Sequence, residues 1–128
     1  MITYEYAVKD TNHLMMDVYY PQKQNEEHAC IIFAFGGGFV NGSRNDGQVK
    51  SVKDYYTQKG FVVIAIDYRL GLRDTKKFSI ASGVKKFQNA IDMAASDLLS
   101  SVDYILNNLL VTDEFIINPD NIILMGSS

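Results

Sequence analysis

Three short apolar runs punctuate this chain. Cys30-Ile31-Ile32-Phe33-Ala34-Phe35, Phe61-Val62-Val63-Ile64-Ala65-Ile66 and Ile122-Ile123-Leu124-Met125 contain no polar residue. Runs of that length without alternation predict strands buried on both faces, as in a parallel sheet covered by helices. Ahead of them, Ile2 to Val8 and His13 to Tyr20 are short segments rich in Tyr and Val. Lys9-Asp10-Thr11-Asn12 between them is turn chemistry, which predicts an antiparallel hairpin. Pro21 ends its second strand, and Gln22 to Glu27 reads as a polar loop.

Between the apolar runs the period changes. Val49, Val52, Tyr55 and Tyr56 recur at helical spacing, with Asp46 as N-cap and Gly60 as C-terminal stop. From Val84 the apolar positions are Val84, Phe87, Ile91, Ala94, Leu98, Val102, Ile105 and Leu109, steps that predict a long amphipathic helix. Gly71 to Gly83 reads as a loop, and Asn118-Pro119-Asp120-Asn121 as a turn. The order is hairpin, strand, helix, strand, helix, strand. It predicts an α/β fold in which an antiparallel hairpin leads into a mostly parallel sheet flanked by helices. No repeat, low-complexity stretch or linker interrupts residues 1–128, so one domain is expected.

Composition acts mainly by exclusion. A formal net charge of −3 argues against nucleic acid as the partner. Cys30 is the sole cysteine, which excludes an internal disulfide and fits a small buried hydrophobe. No apolar run approaches the ~20 residues of a membrane span. Met1 to Tyr6 lacks the basic and apolar regions of a signal peptide, which leaves the cytoplasm as the default compartment. No His, Cys and carboxylate group has metal-ligand spacing, and no cofactor is expected.

Two glycine-bearing segments carry the candidate chemistry. Gly36-Gly37-Gly38 follows the first buried run, at the sheet edge where open α/β sheets bind ligands. Three successive glycines leave backbone N–H groups unshielded, which suits a developing oxyanion; a plain flexible loop is the alternative. A dinucleotide-binding turn is a further alternative, with Asp67 holding a ribose. Against it, the polar stretch Asn41 to Asp46 separates the glycines from the helix, and Asp67 lies 29 positions after Gly38; about 20 is expected. Gly126-Ser127-Ser128 directly follows the last apolar run. Gly-x-Ser opens the Gly-x-Ser-x-Gly turn that lifts a nucleophilic serine off a strand, which singles out Ser128 over Ser127; two ordinary loop serines are the alternative.

Phe35-Gly36-Gly37-Gly38-Phe39, Asp67-Tyr68-Arg69-Leu70, the helix from Asp97 to Leu106, and Asn118-Pro119-Asp120-Asn121 leading into Gly126-Ser127-Ser128 occur in one order. Together they resemble the α/β-hydrolase superfamily, in its carboxylesterase/lipase branch with an HGGG-type motif. The resemblance implies an eight-stranded fold whose first five strands this chain carries. It implies a serine ester hydrolase acting on a small-molecule ester, with Ser128 as nucleophile and Gly37 and Gly38 as oxyanion-hole donors. Asp67, Tyr68 and Arg69 match a mainly structural segment, Arg69 with an ion pair. The family's histidine before the glycines is Phe35 here, which touches loop geometry rather than the chemistry.

In the family's order the triad acid and histidine follow the nucleophile. His13 and His28 precede it and are expected to be solvated or structural. The chain alone is therefore expected to be inactive. It is also expected to self-associate, or to pair with the missing C-terminal portion, through the exposed edge of its last strand. A non-catalytic interaction module of the same fold is the alternative. Asp92, Asp97 and Asp103 are expected on the solvated side of the long helix.

Overall fold

The computed structural model describes residues 1–23, 25–73 and 80–127. The elements are β1 (Ile2–Lys9), β2 (Asn12–Tyr19), β3 (Glu27–Ala34), α1 (Gly47–Gln58), β4 (Val62–Ile66), α2 (Ile80–Asn108) and β5 (Ile116–Gly126). They build one five-stranded sheet in the order β1-β2-β4-β3-β5. The hairpin β1–β2 is antiparallel and pairs antiparallel with β4, whereas β3 runs parallel to both β4 and β5. Lys9 pairs with Asn12, leaving Asp10 and Thr11 as a two-residue loop with φ of 50° and 65°. Positive φ at both positions matches the strand twist, which is why Asp-Thr between Lys9 and Asn12 closes this hairpin.

The runs in β3 and β4 are buried on both sides, for a visible reason, whereas the third run, in edge strand β5, is not: Ile123 and Leu124 are exposed, contrary to the sequence expectation. Cys30 and Ile32 on β3, with Val62, Ile64 and Ile66 on β4, pack with Ile105 of α2 and with Leu109 just after it. The alternate residues Phe33 and Ala65 pack with Val49 of α1. Each strand thus supplies one row of side chains to each helix.

Three further sequence expectations need correction. The loop expected from Gly71 to Gly83 gives way to helix at Ile80, and its segment 74–79 lies outside the described residues. The turn at Asn118-Pro119-Asp120-Asn121 falls inside β5, as an irregularity in its pairing: His28 pairs with Ile117, but Cys30 pairs with Ile122. The turn chemistry persists there, since Asp120 N–H donates to Asn118 Oδ1 at 3.0 Å. Third, the apolar stripe of α2 is not buried throughout. Ile105 and Leu109 are in the core, but Val84 and Phe87 are 66 % and 48 % exposed. Phe87 instead reaches the edge of the sheet, where it lines a cleft.

Candidate active site

β3 and β5 are parallel neighbours, so their C-terminal ends lie at the same sheet edge. Gly126 pairs with Ala34, and Ser127 N–H donates to the Ala34 carbonyl at 3.2 Å. The glycine loop begins just beyond Ala34. Gly37, Gly38, Phe39, Tyr68, Phe87, Gly126 and Ser127 line one cleft of about 530 Å³. A smaller, apolar recess of about 260 Å³ adjoins it, sharing Phe39, Tyr68, Gly126 and Ser127 and adding Ile91 and Leu98 of α2. Ser128 lies outside the described residues. The two oxyanion candidates and the two residues before the candidate nucleophile are therefore brought together.

The loop conformation needs its glycines. Gly37 and Gly38 have φ of 155° and 64°. A Cβ on Gly37 would lie 2.0 Å from the Asn41 carbonyl oxygen, whereas a Cβ on Gly38 would meet nothing within 4 Å. Val40 N–H closes the turn on the Gly37 carbonyl at 3.1 Å. The Gly37 and Gly38 N–H groups donate to no described residue. Phe39, at φ 65°, holds a conformation that costs an L-residue about 1–2 kcal/mol. It is held by Leu72 N–H on its carbonyl at 2.9 Å and by edge-on contacts of its ring with Tyr68 and Phe87.

Phe35, where the family pattern has histidine, is buried and stacks on Tyr68 with ring centroids 4.5 Å apart. The Tyr68 hydroxyl donates to the Phe35 carbonyl at 2.5 Å. Burial, and then the Asp46 carboxylate, push the Tyr68 phenol above its ordinary range. Gly42 lets the Phe35 ring sit flush, since a Cβ there would come within 2.5 Å of it.

The segment after β4 is structural, as its resemblance implies. Asp67 accepts from Arg44 N–H at 2.9 Å and pairs with the Arg44 guanidinium, whose Nε also lies 3.1 Å from buried Asp17. Both Asp67 carboxylate oxygens thus accept from Arg44. Tyr6 donates its hydroxyl to the Asp67 carbonyl, and burial pushes that phenol far up. Arg69 forks onto Asp97, with Nε 3.1 Å from both carboxylate oxygens and the NH2 nitrogen 2.9 Å from Oδ1. Lys9 Nζ sits 3.1 Å from the same Oδ1.

Asp97 is thus fully buried, not solvated as expected, while Asp92 and Asp103 are exposed. Sequence reasoning also passed over Asp17, Arg44 and Gln48, which belong to no motif. For Asp97 a signal existed. It stands three residues after Ala94 and four before Ser101, on the inward stripe of α2.

Neither histidine lines the cleft. His28, on β3 at the opposite sheet edge, has Nδ1 2.9 Å from the Gly60 carbonyl and Nε2 2.6 Å from that of Lys23. His13 is exposed on the hairpin, 3.0 Å from Glu5.

A mixed sheet with a helix on each face, and with a glycine loop and the Gly126-Ser127 strand end at one edge, defines an α/β-hydrolase fold. Residues 16–128 match the BD-FAE family model, and the chain belongs to that family. The fold is similar to esterase 2 of the planctomycete Thermogutta terrifontis in a butyrate-bound structure, with TM-score 0.75 and 24 % identity over 99 % of this chain. The structure of that esterase phosphonylated by sarin matches with TM-score 0.73 over 98 % of this chain. This chain spans about 40 % of the length of either. Over 71 residues, 53 % of this chain, it is 35 % identical to 3 % of the non-reducing polyketide synthase nvfA of Aspergillus novofumigatus. No described helix is long and apolar enough to cross a membrane.

Proposed function

We propose that the protein is a serine-dependent carboxylic ester hydrolase. Ser128 is its nucleophile, and the Gly37 and Gly38 N–H groups are its oxyanion donors. One observation carries this: the unengaged amides and the residues leading into Ser128 line the same cleft. In the reaction the Ser128 hydroxyl oxygen attacks the ester carbonyl and loses its proton to a general base. The carbonyl oxygen takes the developing negative charge onto the two amides. Collapse of the tetrahedral adduct expels the alcohol, and water then releases the acid.

No described histidine is positioned to be the base, so residues 1–128 alone are expected not to turn over p-nitrophenyl acetate. Short acyl esters are the first substrates to try, because the similar Thermogutta terrifontis esterase 2 is recorded with butyrate bound. In the chain taken alone, the outer edge of β5, flanked by exposed Ile123 and Leu124, is the surface for self-association or for pairing with a complementary chain. A concentration-independent monomer by light scattering would contradict that part.

Hydrolysis of p-nitrophenyl butyrate by the full-length protein is the test of the enzymatic reading. Ser128→Ala is expected to lower kcat by about 10⁶-fold. Turnover unaffected by Ser128→Ala would overturn the assignment.

A further inference from the structure

The Gly37 and Gly38 amides can stabilise an oxyanion only if the peptide planes before them are held still. Phe35 has no polar side-chain atom to brace the loop. The bracing comes from two other places. The Tyr68 hydroxyl fixes the Phe35 carbonyl. Gln48, at the second position of α1, spans both polar groups of the next residue. Gly36 N–H donates to Gln48 Oε1 at 3.3 Å, and Gln48 Nε2 donates to the Gly36 carbonyl at 3.4 Å. A carboxamide is the side chain that offers a donor and an acceptor side by side, as a peptide does.

Gln48 is itself anchored through its helix. Ser43 N–H donates to Asp46 Oδ2 at 3.1 Å, and Val49 N–H donates to the Asp46 carbonyl at 2.9 Å, which fixes the first turn of α1. Arg44, just ahead of that turn, is tied to the end of β4 by Asp67 through both backbone and guanidinium. A continuous path of polar contacts thus runs from the end of β4 through Arg44, the start of α1 and Gln48 to Gly36. It meets the Tyr68 contact on the adjoining peptide.

We infer that Gln48 is a positioning residue for the oxyanion loop, orienting the Gly37 and Gly38 amides by clamping Gly36. This rests on the ester-hydrolase reading above, and it concerns the transition state rather than substrate capture. Gln48→Met keeps the length of the side chain and deletes both hydrogen bonds.

The experiment uses the full-length protein, with active sites counted by stoichiometric reaction with a p-nitrophenyl phosphonate. Per titrated site, Gln48→Met is expected to lower kcat for p-nitrophenyl butyrate about tenfold with KM within twofold, the pattern of an interaction made in the transition state. Hydrogen exchange at the Gly36 amide, which Gln48 engages, is expected to quicken about tenfold, a readout independent of turnover. A purely structural role would lower the number of titratable sites and leave kcat per site unchanged. Unchanged kcat per site, or unchanged exchange at the Gly36 amide, overturns the inference. If instead the wild-type protein neither reacts with the phosphonate nor hydrolyses the ester, the functional assignment itself has failed, and the exchange experiment still judges the clamp.

Discussion

β3 and β4 are adjacent, parallel and buried on both faces, yet they end in opposite ways. Beyond β4, at Asp67, Tyr68 and Arg69, the polar side chains are engaged: Asp67 with Arg44, Tyr68 with the Phe35 carbonyl, Arg69 with Asp97 and Asp10. Beyond β3, at Gly37 and Gly38, the N–H groups have no acceptor among the described residues. On the proposed ester-hydrolase reading, these open amides, Gly37 half-buried and Gly38 exposed, are the ones that would receive the developing oxyanion. The polar side chains at the β4 end are engaged; on the proposed reading the β3 end serves the substrate.

Substitutions at the two ends should separate stability from activity. The largest effect on stability is expected at the β4 end. Asp97→Ala leaves the Arg69 and Lys9 cations without their buried partner and should cost about 3–5 kcal/mol in urea unfolding, with kcat per titrated site changed only a few-fold. Equal losses of stability and of activity per site would erase the distinction between the two ends.

At the β3 end the order should reverse. Gly37→Ala drives a Cβ into the Asn41 carbonyl and should move the loop, lowering kcat/KM by about 10²–10³-fold, the cost of a lost oxyanion donor. Gly38→Ala meets no clash, but at φ 64° it carries about 1–2 kcal/mol of strain, so a milder loss near tenfold is expected. Steady-state kinetics on the pair decide whether backbone geometry, rather than bulk in the cleft, sets the rate.

The smallest effect lies in the shared core. Burial pushes the Cys30 thiol up to about 12. Above about pH 9 the unfolded chain loses that proton while the folded chain keeps it, so stability falls as pH rises toward 12. The slope approaches 1.4 kcal/mol per pH unit. Cys30→Val should lessen the fall between pH 9 and 10 in thermal melts and leave the part that comes from Tyr4, Tyr6, Tyr19 and Tyr68, whose phenols are also raised. A curve unchanged by Cys30→Val would contradict the assignment.

Much of this contrast was legible in the sequence because it follows from period. Unbroken apolar runs gave β3, β4 and the end of β5, and the hairpin followed from its turn residues. The glycine run and Gly126-Ser127 were legible as a pair only through their order along the chain. The charged network was not, since Asp17, Arg44 and Asp67 meet only after the hairpin has folded back along β4. Asp97 is not legible by residue type, because its charge points to solvent while its place on the inward stripe of α2 puts it in the core. Gln48 is one polar residue in a helical first turn, and nothing local distinguishes it from Asn45 before it.

The central claim is that the amides of Gly37 and Gly38 and the hydroxyl of Ser128 serve one reacting carbon. Reaction of the ¹⁵N-labelled full-length protein with a p-nitrophenyl phosphonate tests it most directly, with the adduct mapped by mass spectrometry and the glycine amides followed by NMR. A single adduct on Ser128, with large downfield shifts of the Gly37 and Gly38 amide protons, is the predicted result. An adduct on another residue, or one on Ser128 that leaves both amide resonances where they were, would contradict it.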